Sequence, residues 1–204
     1  MSEQHTDAGV RGPAEHNVRD QIVDAAMQHF AHYGYEKTTV SDLARAIGFS
    51  KAYIYKFFES KQAIGEVICS SRLTMIMQRV EAAIADAPSA SEQFRRLFRT
   101  LSVTGTELFF HDRKLYDIAA VASRDRWPSA QAHEERVLNL IHQILRQGRE
   151  AGEFERKTPA DEAAEAIYRV IKPYASPVLL QYNLDEAEAA SVQLAALVLR
   201  SLAP

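Results

Sequence analysis

Between Thr39 and Lys61 the chain gathers side chains suited to gripping a phosphate backbone. Lys51, Lys56 and Lys61 bring ammonium groups, and Thr39, Ser50, Tyr53 and Tyr55 bring hydroxyls. Ammonium and hydroxyl groups bond phosphate oxygens, a small residue such as Ala52 allows close approach to bases, and Tyr53 can meet a thymine methyl or a base edge. From Lys37 to Lys61 five cations (Lys37, Arg45, Lys51, Lys56, Lys61) outweigh two anions (Asp42, Glu59), a local balance of +3 in a chain whose net charge is −3. The overall figure argues against nucleic acid, but only the docking face has to attract it.

Other chemistries are poorly served. No HExxH, no GxSxG, no phosphate-binding glycine loop and no cysteine paired with a motif histidine occurs, so no catalytic residue and no cofactor is expected. His29 and His32 share a helix face, but no third ligand lies near them in the chain, and no metal site is expected. Cys69, the only cysteine, excludes an intrachain disulfide and reads as a small buried hydrophobe.

The elements that must position the basic segment are sharply punctuated. Residues 1–16 lack periodicity and read as a mobile arm, whose Arg11, with Arg19 beyond it, could reach a phosphate or a minor groove. A helix is expected from Asn17, capped with Asp20, carrying Ile22, Val23, Ala26, Met27 and Phe30 on one face and closing at Gly34. Thr39 and Asp42 form a capping-box pattern for a short helix over 40–47, which Gly48 ends. Ser50 caps a third helix, KAYIYKFFE, and Ser60 a fourth that runs from Lys61 to about residue 86. Two short helices cross closely only over a small residue, here Ala44, and the turn between them needs a glycine, here Gly48. Leu43, Ile47, Phe49, Ile54 and either Phe57 or Phe58 then face inward, leaving Lys51, Ala52, Tyr55 and Lys56 outward with Tyr53 at the flank.

Residues 34–64, GYEKTTVSDLARAIGFSKAYIYKFFESKQAI, resemble the TetR family of transcriptional regulators: a glycine turn, paired threonines, a short helix ending in glycine, Ser-Lys, an apolar-Tyr pair, an aromatic, and Ser-Lys. The resemblance is sharp over about the first 65 residues. Phe57 stands where the family often has histidine, Ala52 where glycine is frequent and Gln62 where glutamate is usual. The resemblance implies backbone contacts from Thr39, Lys51, Tyr55 and Lys61, base-edge positions for Ala52, Tyr53 and Lys56, and a homodimer on palindromic double-stranded operator DNA, most often as a repressor. It also implies a C-terminal domain that holds a small-molecule effector and dimerises through its last two long helices.

The remaining sequence is compatible with that plan. Helices are expected at about 61–86, 91–110, 113–125, 129–150, 160–181 and 185–202, giving an all-α chain of about nine helices. The organisation expected is an arm at 1–16, a helix-turn-helix domain at 17–62 and a ligand-binding and dimerisation domain at 63–204. Pro173 and Pro177 favour a kink or break, and Val192, Ala195, Leu199 and Leu202 make an apolar stripe for a partner helix. Met75, Phe98, Phe109, Phe110, Tyr116, Trp127, Tyr168 and Tyr174, with Phe94 and Met77, are candidates to line a pocket for a flat or cationic effector. His111 and Asp112 could add a polar handle. A composition of 47% hydrophobic and 25% charged residues, with mean hydropathy −0.25, is that of a globular protein. No bilayer-spanning run and no signal peptide is evident, so a cytoplasmic location without membrane attachment is expected. Two rival readings remain: a regulator without small-molecule induction, and an interaction protein whose basic head is only a docking surface.

Overall fold

The computed structural model describes residues 13–204, which form ten α-helices and no strand. Most of the expected arm, Arg11 included, falls outside the described residues. Helix α1 spans Pro13–Tyr33, beginning four residues before Asn17. Proline is well placed in a first turn, where its missing N–H has no intrahelical partner to lose, and Asn17 instead accepts from Gln21 Nε2 at 3.2 Å along the helix. Arg19 lies over the Phe58 ring, 4.8 Å from its centroid, and so braces α1 against the segment that follows the third helix.

Helices α2 (Val40–Ile47), α3 (Lys51–Ile54) and α4 (Lys61–Ile84) follow the expected caps. The one difference is the length of α3, which makes a single α-turn and does not reach Glu59. Beyond it Phe57 N–H donates to Ile54 O and Lys56 N–H to Tyr53 O, three-residue steps that tighten the chain toward Ser60. The expected faces survive this shortening, because Ile54 and Phe58 are buried while Lys51, Ala52, Tyr55 and Lys56 are exposed.

The body consists of α5 (Ala90–His111), α6 (Arg113–Arg124), α7 (Pro128–Glu150), α8 (Ala160–Ala175), α9 (Pro177–Leu180) and α10 (Ala187–Ser201). The helix expected over 160–181 is two helices. Pro177 forces the residue before it out of the helical region, and Ser176 sits at φ −81°, ψ 127°. Pro173 is accommodated inside α8.

Two large apolar cores, beside a small cluster of Tyr116, Leu180 and Ala187, divide the molecule. One gathers α1–α4 with Leu115, Ile118, Val121 and Ala122 of α6 and Trp127 before α7. The other gathers the C-terminal half of α4 with α5, α7, α8 and α10. Helices α4 and α6 therefore connect the basic head to the body. Gly65 on α4 allows this junction to close, since a Cβ there would meet Trp127 and Tyr35 side-chain carbons at 3.0 Å. The apolar stripe of α10 is split: Ala195 and Leu202 are buried in the chain's own core, Leu199 is half-buried and Val192 stands exposed. Among the described residues, no helix is long and apolar enough to cross a membrane.

Candidate nucleic-acid interface

The head is built around reciprocal caps. Thr39 Oγ1 accepts from Asp42 N–H at 3.2 Å while Asp42 Oδ2 accepts from the Thr39 N–H at 2.9 Å and from its hydroxyl at 2.6 Å. These bonds hold the Asp42 carboxyl below the usual carboxylate range, with Arg45 reinforcing them at 3.7 Å. Gly48 closes α2 in the left-handed region at φ 72°, and its N–H and that of Phe49 turn back to the carbonyls at the end of the helix. The buried Ala44 allows the crossing with α3.

At α3 the Ser50 Oγ accepts from Tyr53 N–H at 3.1 Å, which leaves the Ser50 hydroxyl proton directed away from the cap and available to an anion. Lys51 lies 5.8 Å above the Tyr55 ring and Lys56 lies 5.5 Å from the Tyr53 ring, so each lysine is paired with a tyrosine on the exposed side. Tyr53 itself is half-buried, wedged edge-on between Phe49 at 5.1 Å and Phe57 at 5.4 Å. This ladder of three rings fixes the one-turn helix from the side. Phe57 is thus a buttress, half-inside, while Phe58 is the core residue. Thr39, Ser50, Lys51, Ala52, Tyr55 and Lys56 are all exposed, and Lys37 and Arg45, which the motif did not single out as contacts, stand exposed on the same head.

Lys61 has a different setting. Its Nζ donates to Tyr35 O at 2.9 Å, Thr38 O at 3.0 Å and Glu36 O at 3.5 Å, and lies 4.3 Å from the Tyr35 ring centroid. Burial lowers its pKa and Glu36 opposes that shift. The ammonium thus pins the 34–38 turn to the start of α4. Ser60 Oγ accepts from Ala63 N–H at 3.0 Å, and the preceding first-turn amides of Lys61 and Gln62 lack an intrahelical acceptor. They, together with the positive helix end, are the anion-binding feature left at this position.

The aromatic candidates for a pocket are scattered. An internal cavity of about 30 Å³ is lined by Tyr116 together with Ile68, Leu73, Leu101 and Ile118, and a second of about 20 Å³ by Tyr168. Met75 lines an open groove of about 390 Å³ between α4 and α5, beside Arg72, Arg79 and His111. Phe98 and Trp127 are buried in the two cores, Phe109 packs edge-on against Tyr116 at 4.9 Å, Tyr174 is half-buried beside it, and Phe110 is 66% exposed. Asp112 caps α6 by accepting from Leu115 N–H, while His111 Nδ1 lies 2.8 Å from Glu107 O. Two polar lining residues, Arg72 and His133, escaped sequence reading, because the pocket candidates were drawn from Phe, Tyr, Trp and Met alone. No three His, Cys, Asp or Glu side chains are grouped for a metal among the described residues.

Two family models match in tandem, one described as bacterial regulatory proteins of the tetR family over residues 22–67, the other as a tetracyclin repressor-like C-terminal domain over residues 90–197. The chain belongs to the TetR family. It is 23% identical over 158 residues to the fatty acid metabolism regulator protein of Bacillus subtilis, an alignment covering 74% of this chain and 78% of that one. An HTH-type transcriptional repressor of Mycobacterium tuberculosis is 33% identical over 90 residues, 42% of this chain and 48% of that protein, so the chain spans about half the length of this relative. The crystal structure of a FadR regulator from Bacillus subtilis, in complex with stearoyl-CoA, superposes with a TM-score of 0.62 at 22% identity, covering 90% of this chain and 97% of that one. This TetR-family chain is accordingly a DNA-binding transcriptional regulator, with its helix-turn-helix in the head described above.

Proposed function

We propose that the chain is a repressor that binds a palindromic operator as a homodimer and lets go when a small molecule enters the body. The observation that carries the DNA-contact part is the outward face of α3 and the turn that follows it, where Lys51, Ala52, Tyr55 and Lys56 are exposed together and held from behind by Ile54, Phe58 and the Phe49–Tyr53–Phe57 ladder. In this reading Lys51, Lys56, Ser50 and Tyr55 bond phosphates, Thr39 does so by turning its hydroxyl proton from Asp42 to the phosphate, the α4 amides with Lys61 behind them bind another, and Ala52 and Tyr53 approach base edges beside Lys56. Residues 17–62 act as the DNA-binding unit and 63–204 as the sensing and dimerising unit, with no catalytic step and a cytoplasmic site of action. Dimerisation uses the part of α10 that the core leaves free, around Val192 and Leu197, both more than half exposed.

Two recognition helices in a dimer must meet half-sites about 34–36 Å apart or a multiple of that spacing. Selection of bound duplexes from a random pool should therefore return an inverted repeat with such a spacing; a pool enriched for no sequence would remove the operator reading. A second reading, regulation without a small molecule, is favoured by one observation: the enclosed cavities hold about 30 and 20 Å³, against the several hundred Å³ typical of ligand sites. Induction through these two cavities requires the body to open.

A further inference from the structure

Five buried side-chain polar atoms among the described residues have no hydrogen-bond partner, and three of them, Glu66 Oε1, Ser129 Oγ and His133 Nδ1, belong to residues on α4 and the start of α7. The two helices meet there, for Ser129 N–H donates to Glu66 Oε2 at 3.1 Å. Native interiors rarely leave such atoms unsatisfied without a use for them. His133 is the member of the three that reaches the cavities: it lines both, and Leu73, Ala119, Ala175 and Pro177 are likewise common to the two. The cavities are thus two halves of one apolar seam with an imidazole between them. Burial, with Arg136 adding repulsion, pushes the His133 pKa down to about 4, so the ring is neutral near pH 7 and its free nitrogen accepts or donates according to tautomer.

Resting on the reading that this body holds an effector, we propose that His133 is the polar anchor of that site and that the effector is an uncharged, mainly apolar molecule bearing one hydroxyl or carbonyl oxygen that bonds Nδ1. The hydrocarbon part occupies the seam beside Leu73, Ile118 and Ala119. A neutral oxygen suits the site better than a carboxylate, because the imidazole carries no charge and Glu134 lines the second cavity. The cation that lines the first cavity, Arg72, also lines the outer groove and donates to the thioethers of Met75 in that groove and of Met27 on α1.

The test uses three probes of one shape on the full chain: p-cresol, toluene and p-toluate, titrated calorimetrically without DNA. p-Cresol should bind roughly three- to tenfold more tightly than toluene, the contribution of one buried hydrogen bond, and p-toluate more weakly than p-cresol. His133→Leu should erase the p-cresol preference and His133→Asn, which keeps a donor and acceptor near the Nδ1 position, should retain it. In the unaltered chain labelled with ¹⁵N-histidine, the His133 Nδ1 resonance should move further with p-cresol than with toluene, a readout that needs no variant to fold. Equal binding of p-cresol and toluene, a preference that persists in His133→Leu, an unmoved Nδ1 resonance, or tightest binding by p-toluate would each overturn the proposal. Operator release is measured separately: p-cresol bound through His133 without loss of operator affinity keeps the anchor and removes induction through this seam.

Discussion

Replacing Lys61 by Met separates two roles that a lysine in this position can play. The substitution keeps the aliphatic stem and deletes the ammonium that bonds Tyr35 O at 2.9 Å and Thr38 O at 3.0 Å. Bonds to a charged donor contribute about 1.5–3 kcal/mol each. Because Lys61 is half-buried and water can reach the vacated carbonyls in part, the lower end applies, and the two good bonds together amount to about 2–3 kcal/mol. For a chain of this size each kcal/mol moves the melting temperature by about 2–4 °C. Calorimetric melting of the DNA-free protein should therefore fall by roughly 4–12 °C.

Operator binding in Lys61→Met should also weaken, since the turn that leads into the Thr39 cap is loosened, but the reason differs from loss of a phosphate contact. A lost contact lowers the slope of log affinity against log salt by about 0.9. The slope in Lys61→Met should instead stay within error of the parent. A variant that melts within 1 °C or so of the parent while its salt slope drops would refute the clamp and restore Lys61 to the DNA-facing set.

Lys51→Ala and Lys56→Ala should do the reverse, each lowering the salt slope by about 0.9 while stability stays within about 0.5 kcal/mol, because both side chains are exposed; fluorescence anisotropy across a salt series reads this. Ala52→Leu should leave the melting curve unchanged yet weaken specific operator binding by tenfold or more, roughly the 1–3 kcal/mol of one base-edge contact, as a longer side chain holds the helix off the groove. Stability should fall as pH drops from about 6.5 to about 4, because unfolding exposes His133 to protonation that its buried state resists. The folded pKa is below the unfolded one, so the contribution is complete above about 6.5 and lost toward about 4, up to about 3 kcal/mol in all. Denaturant titrations of the parent and His133→Leu should show this pH slope flattened in the variant.

The head was readable because its determinants are local. Thr39 with Asp42, Ser50 with Tyr53 and Ser60 with Ala63 are contacts across three residues, and a cap pattern is visible at that range. Gly48 announces its left-handed turn by its position after Ala44 and Ile47. The carbonyl clamp of Lys61 was hidden for the opposite reason: its partners stand 23 to 26 residues back, and no spacing rule connects them. Residue type alone pointed only to a phosphate contact there. The end of α3 at Ile54 was hidden because KAYIYKFFE contains no breaker, and tertiary packing of Phe57 and Phe58 ended the helix. In the body, aromatic content pointed to a pocket but most rings fill core, as Phe98 and Trp127 do, whereas the polar residue at the seam was a histidine with no motif around it.

The division of the core has a consequence for how a ligand could act on DNA. Leu115 and Ile118 of α6 line the internal seam and also belong to the core of the head. Ile68 and Leu73 do the same from α4. Expanding a cavity of about 30 Å³ to ligand size therefore displaces residues that hold the head in place, because close-packed interiors do not yield at one wall alone. Ligand binding must supply the cost of that opening, so its apparent affinity is reduced by the fraction of molecules already open. In the dimer proposed above, the same displacement, passed through α4 and α6, would change the relation of each recognition helix to its partner. Linkage then requires reciprocity: a coupling of about 1–3 kcal/mol that weakens operator binding by effector must weaken effector binding by operator to the same degree.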